Sequence, residues 1–179
     1  MRSDGAPGAL PGWRERAAAV LEGGQAPVRL PSGLLLEIYQ HARECYPEEC
    51  CGLLLGPAGA EPRTIVRCSN TQSQRKARGE SDLDATKAFW IDAHELLHAL
   101  RGADDRGEEI RVIYHSHVDT EAYLSHTDLQ GAIGPGGTPH FPDAAQLVVS
   151  VSEGGVRGAV CFVWNARLAR FVGRPIEQV

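Results

Sequence analysis

At about 150 residues per domain, a chain of 179 residues holds one domain, or one domain and a tail. With 42% hydrophobic and 23% charged residues it can bury a core of ordinary size, which excludes a disordered or fibrous protein. A formal net charge of −5 has the wrong sign for gripping nucleic-acid phosphates, and no apolar stretch approaches the ~20 residues of a membrane helix, so neither nucleic acid nor a membrane is an expected partner.

Residues 1–27 are rich in Gly, Ala and Pro, with a short helical possibility at 13–21, and read as a flexible tail ahead of a folded domain at 28–179. The leader lacks the uninterrupted apolar core of about 7–15 residues that a signal peptide needs, which points to the cytoplasm. Over 32–46 the residues Leu34, Leu35, Ile38, Ala42 and Cys45 keep helical spacing, Ser32 offers a capping hydroxyl, and Pro47 stops the helix. The apolar run 51–55, closed by Gly56-Pro57, reads as a buried strand with 64–68 as its hairpin partner. The polar stretch 71–80 reads as a solvated loop, with contact to a substrate as the sharper alternative. A short strand at 89–91, a helix from Asp92 to about Arg101 stopped by Gly102, and a β-rich run 110–114 follow. Next come a short helix at 125–133, a Gly/Pro-rich loop at 134–142, and strands at 147–151, 158–164 and 168–172. Strands outnumber helices, so the expected class is α+β: an α/β-sandwich-like arrangement of one mixed, mostly antiparallel sheet flanked by helices.

Two patterns compete for a metal. In His115-Ser116-His117, residues i and i+2 of an extended segment share a face, and Ser125-His126-Thr127-Asp128 returns after seven residues with an oxygen ligand. Three protein ligands leave a fourth tetrahedral position open for water, the arrangement of a catalytic zinc. The bland reading of Ser125-x-x-Asp128 is a helix capping box, which needs no chemistry. The second pattern, His94-Glu95-Leu96-Leu97-His98, fits the H-E-x-x-H zinc-peptidase spacing, with Glu121 as a conceivable third ligand. By composition the first pattern arises by chance roughly once in 1,500 such chains and the second about once in 50, so the first is the more specific. The second is better explained by an amphipathic helix burying Leu96, Leu97 and Leu100 with both histidines on its wetter side. Cys45, Cys50, Cys51, Cys68 and Cys161 are odd in number and contain no C-x-x-C, and read as reduced thiols, mostly core. A nucleophilic Cys50 or Cys51 has nothing beside it in the sequence to lower its pKa.

Taken together, the run from Pro47 to Gly56 with its Pro-x-Glu-x-Cys-Gly, and the run from Tyr114 to Asp128, resemble the JAMM (MPN+) metallopeptidases. The motifs look most like the small stand-alone bacterial members of the Mec-like branch, hydrolases that remove cysteine from the C-terminal glycine of a ubiquitin-like sulfur carrier protein. Val118-Asp119 stands where many members, the eukaryotic deubiquitinases above all, carry a proline after the second histidine. The resemblance implies a cytidine-deaminase-like architecture and one zinc ion per chain held by His115, His117 and Asp128. It further implies Glu49 as general base, with its neighbour Glu48 as the control, Ser125 as hydrogen-bond donor to the oxyanion, and Ser116 in a supporting role. The expected activity is hydrolysis of the peptide or isopeptide bond after the C-terminal glycine of a ubiquitin-like or sulfur carrier protein, such as a carrier–cysteine adduct. A zinc peptidase centred on His94 and His98, or a metal-free scaffold module on the same fold, are the competing expectations. A homodimer is left open.

Overall fold

A computed structural model describes residues 26–179. The predicted tail lies outside these residues save for its last two, and the short helix expected at 13–21 lies outside altogether. Six strands form the main sheet: β2 (Cys51–Gly56), β3 (Thr64–Cys68), β4 (Glu109–Val118), β5 (Ala145–Ser152), β6 (Gly155–Asn165) and β7 (Arg170–Arg174), in the spatial order β3-β2-β4-β5-β6-β7. Every pairing is antiparallel except β4 with β5. A parallel neighbour demands a crossover connection, and residues 119–144 supply it. Two three-residue strands, β1 (Val28–Leu30) and β8 (Ile176–Gln178), pair in parallel as a separate ribbon.

One face of the sheet is covered by helix α1 (Ser32–Cys45), whose Leu35, Ile38 and Ala42 stripe packs on Leu54, Val112, Tyr114, Leu147 and Val149. The opposite face carries α3 (Ala93–Asp105), which sets Ala99 and Ala103 against Cys51, Leu53, Leu55 and Ile110. The two short helices are α2 (Gln72–Ala77) and α4 (His126–Ala132). The arrangement is a mixed, mostly antiparallel sheet between helices, in the expected α+β class. Among the described residues no helix is long and apolar enough to cross a membrane.

Several local expectations are corrected. The stretch 71–80 is not a plain loop: α2 forms because Gln72 is buried and its amide donates to Ser81 Oγ at 2.7 Å and Leu83 O at 2.9 Å, while the Arg75 guanidinium lies 3.7 Å over the Trp90 ring. Helix α3 runs through Gly102 to Asp105, because its next turn buries Ala103; the left-handed residue that ends it is Gly107, φ +65°. Leu97 is exposed, not buried, since the small Ala99 and Ala103 bring the helix onto the sheet along a different stripe. Ser32 lies inside α1, whose cap position is Pro31, with no side-chain cap bond. Residues 89–91 make only a single bridge, Asn70 to Ile91. Strand β7 starts at Arg170 because a turn closed on Asn165, by Leu168 N–H to both its carbonyl and its side chain, occupies 165–169.

Gly52 is the tightest point of the sheet. A Cβ there would collide with the Tyr114 ring and with the Val66 carbonyl, and the second obstacle is backbone that cannot rotate away. Gly52→Ala should therefore destabilise the protein by about 3 kcal/mol, the upper end of overpacking costs. Urea unfolding monitored by circular dichroism checks this, and an unchanged midpoint would contradict the packing described.

Candidate active site

The site is built on strand register. Cys51 of β2 lies opposite His115 of β4. One step out, Ser116 N–H donates to Cys50 O at 3.1 Å and Cys50 N–H donates to Ser116 Oγ at 2.8 Å, which carries the same register past the formal end of the strand. The next position opposite His117 is then Glu49. Because side chains alternate across the pleat, His115, His117 and Glu49 share the α3 face, while Ser116 and Cys50 turn to the other. Between Glu48 and Glu49 the sheet thus discriminates: Glu48 is exposed, Glu49 is 5% exposed and its Oε2 has no hydrogen-bond partner.

The fourth participant arrives on the crossover. Ser125 caps α4 and Asp128 sits at its third helical position in a reciprocal capping box: Asp128 N–H donates to Ser125 Oγ at 3.1 Å, and Ser125 N–H to Asp128 Oδ2 at 2.7 Å. The same Oδ2 lies 3.2 Å from His117 Nε2 and 3.5 Å from His115 Nε2, and the two imidazole nitrogens are 3.3 Å apart. Capping box and ligand cluster are one structure. Among the described residues this is the only group of three His, Cys, Asp or Glu side chains close enough to share an ion.

These three edges decide whether a metal fits. Bonds of about 2.0–2.1 Å from zinc to nitrogen or oxygen give a tetrahedral edge of about 3.3–3.4 Å, the spacing found. A proton can bridge one pair of these atoms but leaves the third facing a lone pair, whereas a cation at the centre satisfies all three. The rings are aimed accordingly. The Glu121 carbonyl lies 3.0 Å from His117 Nδ1, so that nitrogen carries the proton and the Nε2 lone pair faces the cluster. The His115 ring stacks on Phe89, centroids 4.3 Å apart and 20° from parallel, and its buried Nδ1 has no partner, so stacking sets its orientation. Tyr123 meets His117 edge-on at 5.0 Å.

Burial lowers the pKa of His115 against the pull of Asp128. Burial also opposes charge on His117, but Asp128 and Glu49 outweigh it and the pKa is raised. For Asp128 burial works to raise the pKa, but the two histidines beside it overcome this and hold the carboxylate far below its usual range. Burial pushes the Glu49 carboxyl up to about 8, partly offset by His117 and Lys87; a cation within the cluster opposes that rise by favouring the carboxylate.

The H-E-x-x-H pattern does not assemble a comparable site. The His94 side chain is 98% exposed, His98 is exposed, and the Glu95 carboxylate accepts from Ser69 N–H at 2.6 Å and Ser69 Oγ at 2.7 Å. Phe89 and the Glu121 carbonyl, which orient the two site histidines, carry no sequence signal, since neither belongs to a spacing pattern and each meets its histidine only through the fold.

Residues 31–164 match the family described as prokaryotic homologs of the JAB domain. The chain belongs to this family. This is the JAB/MPN domain to which the JAMM metallopeptidases belong, so the resemblance carried by the two motif runs holds at the level of the family. Among JAB-domain relatives, the CysO-cysteine peptidase of Mycobacterium tuberculosis is 35% identical over 114 residues, 63% of this chain and 66% of that protein, so the chain spans just under two thirds of that relative's length. The desampylase of Haloferax volcanii is 29% identical over 104 residues, 55% of this chain and 68% of that protein. Two proteins solved in solution share the fold. One, from Desulfitobacterium hafniense, has TM-score 0.63 at 21% identity over 84% of this chain and 92% of its own; the other, from Salinibacter ruber, has 0.58 at 25% over 85% and 92%.

All five cysteines are free, with Cys50, Cys51, Cys68 and Cys161 buried and Cys45 half-buried, as the odd count implied. Burial pushes the Cys50, Cys68 and Cys161 thiols up to about 12 and Cys51 higher still, which leaves no thiolate at neutral pH and removes Cys50 and Cys51 as nucleophiles. Iodoacetamide applied to the native protein at neutral pH should modify Cys45 at most, as read by peptide mass mapping; alkylation of folded protein at Cys50 or Cys51 would overturn this.

Proposed function

We propose that this JAB-domain protein is a zinc hydrolase that cuts the peptide or isopeptide bond after the C-terminal glycine of a small ubiquitin-like or sulfur carrier protein, with carrier–cysteine adducts as the first substrates to try. The observation that carries the reading is the triangle of His115 Nε2, His117 Nε2 and Asp128 Oδ2 at tetrahedral edge lengths, beside a buried carboxylate oxygen with no partner. The names of the relatives support the substrate class, one being a CysO-cysteine peptidase and another a desampylase. The cytoplasm suits a chain whose five thiols are all unpaired.

In this reading His115, His117 and Asp128 hold one zinc ion. When bound, the ion supplies Lewis acidity, for acidifying a water molecule and polarising a carbonyl. Glu49 Oε2 takes the proton of the attacking water and delivers it to the departing amine; burial makes it a stronger base than an ordinary carboxylate. Ser125 Oγ already accepts the Asp128 N–H, which leaves its hydroxyl hydrogen free to donate to the carbonyl oxygen as negative charge develops there. Capping and catalysis therefore do not compete for the same lone pair. Ser116 supports from behind the sheet, where its hydroxyl accepts Cys50 N–H and fixes the backbone next to Glu49.

The wild-type protein should contain zinc near one per chain by elemental mass spectrometry. His117→Ala should lose both metal and activity, whereas His94→Ala should keep both. A fully active His117→Ala protein would end this reading, and loss of zinc from His94→Ala would restore the helix motif. Glu49→Gln should retain zinc while kcat on a carrier–cysteine adduct falls about 10²–10⁴-fold, the range of general-base removal, with Glu48→Gln unaffected.

Ser125→Ala separates its two roles. Loss of the cap should cost about 1 kcal/mol in urea unfolding, and loss of the oxyanion donor should lower kcat by about 10²–10³-fold. A stability loss with unchanged kcat would reduce Ser125 to a cap.

A further inference from the structure

Asn70 follows β3 and belongs to no motif, yet its side chain uses its whole hydrogen-bonding capacity on backbone from four separate points. Nδ2 donates to Glu49 O at 2.9 Å and to Ala88 O at 3.1 Å, while Oδ1 accepts from Gln72 N–H at 3.1 Å and Trp90 N–H at 3.0 Å. Two carbonyls on one side and two N–H groups on the other leave a single consistent orientation of the amide. No other residue of this length offers two donors and two acceptor lone pairs in a plane: aspartate lacks the donors, and leucine lacks both.

The four points are not arbitrary. Glu49 carries the unpartnered carboxylate of the site. Ala88 and Trp90 flank Phe89, whose ring stacks on His115. Glu49 N–H also donates to Ala85 O at 2.7 Å, so residues 85–90 wrap the base-bearing segment, and the Asn70 amide closes the wrap. We propose that Asn70 is a positioning residue that sets two distances at once: that of the Glu49 carboxylate from the ligand cluster, through the Glu49 carbonyl, and that of the Phe89 ring from His115, through the carbonyl and N–H on either side of it. This rests on the reading of Glu49 as base and His115 as ligand.

The near-isosteric Asn70→Asp tests it, because it keeps the acceptor toward Gln72 and Trp90 and sets an oxygen against the Glu49 and Ala88 carbonyls. Gln72→Leu is the comparison, since Gln72 anchors the same loop through Ser81 and Leu83 without bonding Glu49 or the Phe89 segment through its side chain. Two readouts are taken on folded, metal-loaded protein: the visible spectrum and affinity of the cobalt-substituted site, and steady-state kinetics on a carrier–cysteine adduct. Asn70→Asp should weaken cobalt binding about 10-fold with a changed spectrum, and lower kcat by about 10²-fold with KM within about 3-fold. Gln72→Leu should lower the melting temperature at least as much while leaving spectrum and kcat within about 2-fold of wild type.

If both variants shift the melting temperature alike and neither the cobalt spectrum nor kcat separates them, Asn70 is a loop staple only and the proposal falls. If wild type cleaves no carrier adduct, the functional reading fails, and the cobalt readout still decides the positioning claim. Should Asn70→Asp fail to fold, Asn70→Ser, which removes the Glu49 and Ala88 bonds without adding charge, replaces it under the same criteria.

Discussion

The pairing of β2 with β4, Cys51 against His115, is the constraint on which the site depends. A slip of one residue between the two strands would leave Glu49 on one face of the sheet and His115 and His117 on the other, because the side-chain period of a strand is two. Three features hold the register. Gly52 lets the Tyr114 ring lie directly on β2, and the Tyr114 hydroxyl is then tied to His41 Nδ1 of α1 at 2.9 Å. The reciprocal bonds between Cys50 and Ser116 extend the ladder up to Glu49. A bulge between Leu54 and Leu55 absorbs the mismatch at the far end, away from the two histidines.

The second requirement is topological. Within the six-stranded sheet only the β4–β5 pair is parallel, and the connection it forces leaves the sheet at the end where the histidines stand. The capping box of α4 then places Asp128 Oδ2 between two imidazoles while satisfying Ser125 N–H. A buried carboxylate against two nitrogens costs folding energy unless its lone pairs are met. The core clusters on both sheet faces offset that cost, and a cation held in the cluster would reduce it further.

The chain sequence showed a good part of this. Helices α1 and α3 and the long strands follow their apolar periods, and the spacing from His115 to Asp128 survives as geometry because a strand end and a first helical turn are both local structures. What escaped notice has a physical reason in each case. Helix α2 is anchored by a polar residue, Gln72, so a hydrophobic pattern misses it. Gly102 resembles a helix stop, but packing of Ala103 overrides it and Gly107 ends α3. Strands β1 and β8 are three residues each, too short to show a period. Glu49 could be told from Glu48 only through the family resemblance, because the discriminating fact is which of them faces His117 across a partner strand more than sixty residues away.

Both segments that wrap the site are joined to it through a backbone carbonyl: Glu49 N–H donates to Ala85 O, and His117 Nδ1 to Glu121 O. The first belongs to the loop between α2 and α3 that exposes Leu83 and Trp90, the second to the crossover that exposes Tyr123. The two loops thus expose large apolar side chains, while the His115, His117, Asp128 and Glu49 side chains to which they are joined are buried. The sheet sets the register of Glu49 against the two histidines, and the same two loops that carry exposed apolar side chains hold Glu49 and His117 by hydrogen bonds, so sheet and loops fix the cluster together.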